Sequence, residues 1–291
     1  MQAIKTEKLT KYYGKSRGII DVDLSVSVGD FFGFIGPNGA GKSTTIRTLL
    51  GLISPSSGSA EMFGKDVAKN KTEILTEVGY LPSETAFYSG MKVSDIIEFS
   101  ARLRNKNCAD EAKVLCERLE LDTSRKVGEL SFGNRKKLGI VCALQHRPAL
   151  YILDEPTSGL DPLMQREFYS ILEERNKEGA TVFLSSHVLS EVARYCKSAA
   201  IIREGRILVC DSVRDLAHTG VKQVTLRNAS DVPNTNNIRN VKREGDVVSF
   251  LYSGDSEMLV KELSKLHFDD VTVSNPALDE VFMHYYTREE K

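Results

Sequence analysis

The chain has 291 residues, 41% hydrophobic and 27% charged side chains, and a formal net charge of −1. This is the composition of an ordinary folded protein with room for one large domain or two smaller ones, and it lacks the basic excess of a general nucleic-acid binder. No apolar stretch reaches the roughly 20 residues that a bilayer-spanning helix needs, and residues 1–7 contain no hydrophobic signal core. The five cysteines (Cys108, Cys116, Cys142, Cys196 and Cys210) are scattered, with no C-x-x-C pair. They fit reduced thiols, and the expectation is a cytosolic chain that reaches any membrane through a partner.

The N-terminal segment reads as β. Val22, Leu24, Val26 and Val28 alternate with Asp21, Asp23, Ser25 and Ser27, the period of a half-buried strand. Tyr12-Tyr13-Gly14-Lys15 is expected in a loop ahead of that strand, where a ring would either stack on a nucleotide base or simply pack. Residues 31–35 form a short apolar run suited to a buried strand. Gly36-Pro37-Asn38-Gly39-Ala40-Gly41-Lys42-Ser43-Thr44 follows, matching G-x-x-x-x-G-K-[ST], and residues 44–50 continue at helical spacing. Strand, glycine loop and helix start together make a phosphate cradle. The glycines permit close backbone approach, and the helix start offers unpaired N–H groups and the positive end of its dipole. Lys42 is expected to reach the β- and γ-phosphates, and the Ser43 hydroxyl to ligate Mg²⁺.

Residues 51–64, rich in Ser, Pro and Gly, read as turns around a short strand, and residues 78–81 as a strand ended by Pro82. The texture is then helical to about Leu144. Val93, Ile96, Ile97 and Phe99 lie near one face, and Val114, Leu115, Leu119 and Leu121 repeat in the next segment. Residues 128–134 form a small-residue turn that opens a helix, with Ser131 as its N-cap. The apolar strand at 149–153 runs into Asp154-Glu155. Two carboxylates there are costly to desolvate unless used, and Asp154 is placed to complete an Mg²⁺ shell with Glu155 beside an attacking water. Residues 181–186 read as a further strand with His187 at its C-terminal end, the edge where open α/β sheets bind ligands. Residues 199–203 and 206–209 form a hairpin-like pair around Glu204-Gly205.

In combination these motifs resemble the ATPase subunits of ABC transporters, over residues 1–217. The phosphate loop corresponds to Walker A, and Leu150-Tyr151-Ile152-Leu153-Asp154 with Glu155 to Walker B and the catalytic glutamate. Leu130-Ser131-Phe132-Gly133-Asn134 resembles the ABC signature, Ser158-Gly159-Leu160-Asp161 the D-loop, His187 the switch histidine and Tyr13 the adenine-stacking aromatic. The resemblance implies an α/β fold: a P-loop NTPase core with an N-terminal antiparallel β-subdomain and a helical subdomain at about 83–145. Two positions depart from the family. Phe132 and Asn134 stand where Leu-Ser-Gly-Gly-Gln is usual, although the Ser131 hydroxyl and the Gly133 N–H are kept. Ser83, followed by Glu84, stands where the Q-loop glutamine is usual, so either water bridging from Ser83 or substitution by Glu84 would be needed.

The resemblance further implies ATP and Mg²⁺ as cofactors, a second ATPase subunit paired head to tail, and an integral membrane permease. ATP on Walker A of one subunit would be covered by Ser131 and Gly133 of the other. Glu155 would act as general base, His187 would hold the γ-phosphate and water, and Ser43 with Asp154 would hold the metal. Residues 218–291 read as a small α+β appendage: strands at 222–227, 246–252 and 270–273, a polar loop at 231–240, and helices at 256–266 and 277–286. Nine Lys and Arg against twelve Asp and Glu in that stretch give −3, which is not a basic tail. Its Pro276-Ala277-Leu278-Asp279-Glu280-Val281-Phe282 resembles exporter-type subunits of the drug, bacteriocin and antibiotic-resistance branch. The rival expectation, a soluble ABC ATPase working on ribosomes or DNA, usually brings two ATPase modules or a long coiled-coil insert, and neither is present.

Overall fold

The computed structural model describes residues 1–217, 221–233, 235 and 237–274. The chain divides into two compact units, Met1–Asp211 and Ser212–Lys291. The first opens with β1 (Gln2–Tyr13), β2 (Ser16–Ser27), β3 (Phe31–Ile35) and α1 (Lys42–Leu49), followed by β4 (Ser57–Met62), β5 (Lys65–Asp66), α2 (Lys71–Thr76) and β6 (Val78–Leu81). Three helices come next, α3 (Val93–Arg102), α4 (Ala109–Arg118) and α5 (Phe132–Leu144). Then follow β7 (Leu150–Asp154), α6 (Pro162–Lys177), β8 (Thr181–Ser186), α7 (Leu189–Tyr195), β9 (Ser198–Arg203) and β10 (Arg206–Ser212).

An antiparallel sheet of order β2-β1-β4-β5 carries the N-terminal strands. In β2, Val22, Leu24 and Val26 are buried while Asp21, Asp23, Ser25 and Ser27 are exposed, as the alternation requires. Val28 falls past the end of the strand and is exposed. Tyr12 and Tyr13 are not in a loop. They end β1, with Tyr13 opposite Ser16, because Gly14 at φ +59° lets the chain reverse within two residues.

The second sheet has the order β10-β9-β3-β8-β7-β6, with β6, β7, β8, β3 and β9 parallel. Every residue of β3, β7 and β8 is buried, as expected for central parallel strands covered on both faces. The antiparallel sheet, the parallel sheet and α1 share one core, which includes Ile4, Val22, Phe34, Ile46, Leu49 and Phe183. The β9–β10 hairpin turns at Glu204 and Gly205, both at positive φ, the type I′ geometry that suits a two-residue loop.

The helical insertion lies between β6 and β7. Its α5 packs closely against β6, since a Cβ on Gly79 would lie 2.2 Å from the Ala143 carbonyl oxygen. Its α4 is tied to α6 by Arg118, whose guanidinium donates to Glu167 at 2.5 Å and to both Glu174 oxygens at 2.6 and 2.8 Å. Residues 83–92, at the start of the expected helical region, are irregular, and Pro82 ends the strand before them.

The second unit contains α8 (Val213–Ala217), β11 (Val221–Arg227), β12 (Ile238–Glu244), β13 (Val247–Ser253), α9 (Ser256–Leu263) and β14 (Asp270–Ser274). Its strands form an antiparallel sheet of order β12-β13-β11-β14 over a separate core of Val224, Leu226, Phe250, Tyr252, Leu259 and Leu263. The expected polar loop at 231–240 gives way to β12 from Ile238. This edge strand is almost wholly exposed, so no apolar alternation announces it. The compact units divide at Asp211, slightly before the boundary read at residue 217. The helix expected at 277–286 and the segment from Pro276 to Phe282 lie outside the described residues. Among the described residues, no helix is long and apolar enough to cross a membrane.

Candidate nucleotide site

The loop between β3 and α1 is held by what its glycines omit. Gly41 caps α1 at φ +112°, a conformation that strains any residue with a Cβ, and a Cβ on Gly36 would lie 2.3 Å from the Ile202 carbonyl oxygen. The loop therefore lies directly on β9 and delivers the first N–H groups of α1 to a cavity of about 280 Å³. Asn38, Gly39, Gly41, Lys42, Ser43 and Thr44 line this cavity, together with Tyr13, Arg17, Ser83 and Glu155. Gly36 does not line it and acts through packing. Glu84 is exposed and is not among the lining residues, whereas Ser83 is. A larger groove of about 1130 Å³ lies between α3 and α4, away from these groups.

Lys42 is buried, and its ammonium donates to the Gly36 carbonyl at 2.6 Å and the Pro37 carbonyl at 3.3 Å, with Glu155 Oε1 also 3.3 Å away. Across the cleft, the strand-end carboxylates are separated by backbone geometry. Asp154 ends β7 opposite Ser185 of β8 and is buried; it accepts from Ser43 Oγ at 2.7 Å and from Ser185 Oγ at 2.9 Å. Glu155 has left-handed backbone at φ +48°, a strain of about 1–3 kcal/mol that persists only where the surroundings over-determine it. Its N–H donates to the Ser185 carbonyl at 3.0 Å, and His187 Nδ1–H donates to Glu155 Oε2 at 2.7 Å. The kink aims Asp154 at the start of α1 and Glu155 between Lys42 and His187.

Mg²⁺ fits the donor chemistry. A serine hydroxyl and a carboxylate, both hard oxygen ligands, meet at 2.7 Å beside the phosphate loop. Among the described residues no cluster of three or more acids, histidines or cysteines forms a cage of its own. Mg²⁺ characteristically takes one or two carboxylates and completes its shell with phosphates and water.

The turn before α5 lies elsewhere. Ser131 is its N-cap and accepts from the Asn134 N–H at 3.2 Å. A Cβ on Gly133 would lie 2.6 Å from the Gly159 carbonyl, and one on Gly159, itself at φ +81°, would lie 2.3 Å from the Phe132 ring. The 131–134 turn and the 157–161 turn of one chain are thus seated on each other, with glycine on both sides. Asp161 caps α6, accepting from the Leu163 and Met164 N–H groups at 3.0 Å, and the bonds from Met164 and then Leu163 hold its carboxyl below the ordinary value. Neither 131–134 nor Asp161 lines the cavity.

Tyr13 does line it, half exposed, with Lys11 Nζ 5.5 Å from the ring centroid. Three further groups carry little signal in the sequence. Arg17 lines the cavity and donates to the Glu204 carbonyl at 2.6 Å, and a basic residue just beyond the Tyr13 turn was the available signal. Ser185 holds Asp154, and the polar Ser-Ser end of an otherwise apolar strand marked it. Lys136, buried on α5, had no signal beyond its charge in an apolar helix.

Residues 19–158 match the ABC transporter family. The bacitracin transport ATP-binding protein BcrA of Bacillus licheniformis is 43% identical over 212 residues, covering 70% of this chain and 68% of that one. A probable multidrug ABC transporter ATP-binding protein of Escherichia coli, YbhF, is 32% identical over 73% of this chain and 38% of its own length. A solved ATP-binding subunit of an ABC transporter superposes with a TM-score of 0.70 at 29% identity, over 74% of this chain and 91% of that one. Phosphate loop, kinked strand-end acids, helical insertion and these likenesses coincide on one unit, and the chain belongs to the ATP-binding subunits of ABC transporters: it binds ATP and is an ATPase.

Proposed function

We propose that this subunit energises export through a separate membrane permease by ATP-driven, head-to-tail pairing with a second ATPase subunit. The observation that carries this reading is the position of the signature turn. Ser131 is exposed at a helix N-terminus, yet it does not line the nucleotide cavity of its own chain. A helix start with an exposed hydroxyl suits a phosphate, so the phosphate it suits is one held by another subunit. Relatives named for bacitracin and multidrug transport support the export branch. The permease would hold the subunit at the inner face of the cell membrane.

Within the site, Lys42 and the loop N–H groups bind the β- and γ-phosphates, and Tyr13 stacks on the adenine. Ser43 and Asp154 would hold Mg²⁺, which would supply charge neutralisation for the phosphates. Glu155 takes the proton of the attacking water, His187 keeps that carboxylate oriented and meets the γ-phosphate, and Ser83, which lines the cavity, acts at the Q-loop position through a bridging water. Asp161 positions the turn beside the signature. Ser131→Ala tests the reading. It should bind ATP with wild-type affinity and lose about 10²-fold in turnover, the cost of one preorganised donor at developing charge. Sedimentation of Glu155→Gln with ATP should show a dimer that Ser131→Ala on the same background abolishes. Wild-type turnover in Ser131→Ala would defeat the two-subunit site.

A further inference from the structure

The first unit buries a lysine for which the reading above has no use. Lys136 is 1% exposed on α5, one turn beyond the Ser131 cap. Its ammonium donates to the Ser83 carbonyl at 2.9 Å and the Pro82 carbonyl at 3.2 Å. An ion in such a place costs free energy that a methionine of similar volume would not. Burial pushes the ammonium down to about 8, against the pull of the Asp154 and Glu155 carboxylates. The surrounding contacts tie the same two segments. Thr85 Oγ1 donates to the Arg135 carbonyl at 3.4 Å, and a Cβ on Gly139 would lie 2.6 Å from Thr85 Cγ2. Residues 82–85 and the first turns of α5 are therefore one packed body. Ser83, at one end of it, lines the nucleotide cavity; Ser131, at the other, lies outside it.

We propose that Lys136 is a positioning residue for ATP hydrolysis: its buried ammonium fixes the Pro82–Ser83 backbone to the helix that carries the Ser131 turn. The segment facing the chain's own nucleotide and the turn offered to a partner's nucleotide then move together. A serine is too short to reach as a glutamine would, so its backbone must be held where the nucleotide will meet it. Lys136 supplies that hold from behind, through carbonyls rather than through the Ser83 side chain. The inference rests on the roles given above to Ser131 and Glu155.

The test compares Lys136→Met and Lys136→Gln with wild type in the full chain, using ATP as the probe. Lys136→Met fills the space without donors and should fold with an unchanged or raised Tm, because a buried charge is removed. Its kcat should fall about tenfold while the Kd for ATP stays within about twofold, the signature of a group that acts after binding. Lys136→Gln keeps N–H donors without the charge and should recover most of the lost kcat. Wild-type kcat in Lys136→Met, or a loss that Lys136→Gln does not recover, overturns the proposal. A second measurement needs no substitution: on adding a non-hydrolysable ATP analogue, amide exchange at 83–86 and at the first turn of α5 should change together. A change confined to one of them overturns the coupling even if Lys136→Met does not fold. Glu155→Gln run in parallel separates the failures. If it retains turnover, the assignment of Glu155 falls; if it is inactive while Lys136→Met is not, only the coupling falls.

Discussion

The two compact units are built from similar parts and spend polar groups differently. Each packs helices on sheet over an apolar core, and each starts a helix with an aspartate cap. Yet among the described residues the buried polar and charged side chains from Thr6 to Ser186 belong to the first unit, while the second buries mainly aliphatic and aromatic groups, its buried polar atoms including the Tyr252 hydroxyl and Gln223 Oε1. Burying polarity is costly unless it is partnered and used. In the first unit part of it, Lys42, Asp154, Ser185 and Ser186, lies at the phosphate loop and the neighbouring strand ends. The difference sets the first unit, which carries the nucleotide cavity, apart from the second.

The largest effect that would test this division comes from Glu155→Gln. Loss of a general base costs about 10²–10⁴-fold in rate, so single-turnover hydrolysis should fall by that factor with ATP affinity retained. No single substitution in the second unit should approach it. The reverse experiment is Phe250→Ala, which empties part of the second core. Phe250 is almost fully buried there, and the change should cost about 3–5 kcal/mol, much of a small domain's stability. Urea denaturation should show an early transition for this unit while ATP titration gives the wild-type Kd. A matching loss of ATP affinity would mean that the second unit supports the site, and the comparison would break.

Legibility in the sequence followed the same division. The phosphate loop, its strand and its helix are contiguous, so pattern and geometry coincide, and Asp154-Glu155 and His187 sit at strand ends that apolar runs announce. The 131–134 turn has no local mark beyond a helix cap, and only the family likeness singled it out. Lys136 and Ser185 stayed hidden because their partners lie 53 and 31 residues away in sequence. Tyr13 falls in β1 and not in the loop that the sequence suggests, because a two-residue hairpin leaves no visible gap between strands. In the second unit, β12 is hidden for the opposite reason: an exposed edge strand carries no alternation to read.

The smallest effect is the sharpest, because it compares equal parts. Asp161 and Asp255 both accept from the second and third N–H groups of the helices they start, α6 and α9. Replacing either with alanine removes the same kind of cap and should lower the Tm of its own unit by a few degrees. The Asp161 carboxyl is held below its ordinary value by the Met164 and Leu163 N–H groups, so its contribution is present at neutral pH. That contribution is lost as pH falls through the folded-state value, and the Tm gap between Asp161→Ala and wild type should close in acid. Function should separate the two residues where stability does not. Asp161 stands in the turn seated against Gly133 and Phe132, so its loss should also lower turnover, and Asp161→Asn, which keeps a capping oxygen, should recover Tm and turnover together if capping is its whole role. Recovery of Tm without turnover assigns the carboxylate a task beyond capping, across the proposed subunit contact. An equal loss of turnover from Asp255→Ala would instead show that cap strength anywhere in the chain reaches the site, and the division between the units would lose its meaning.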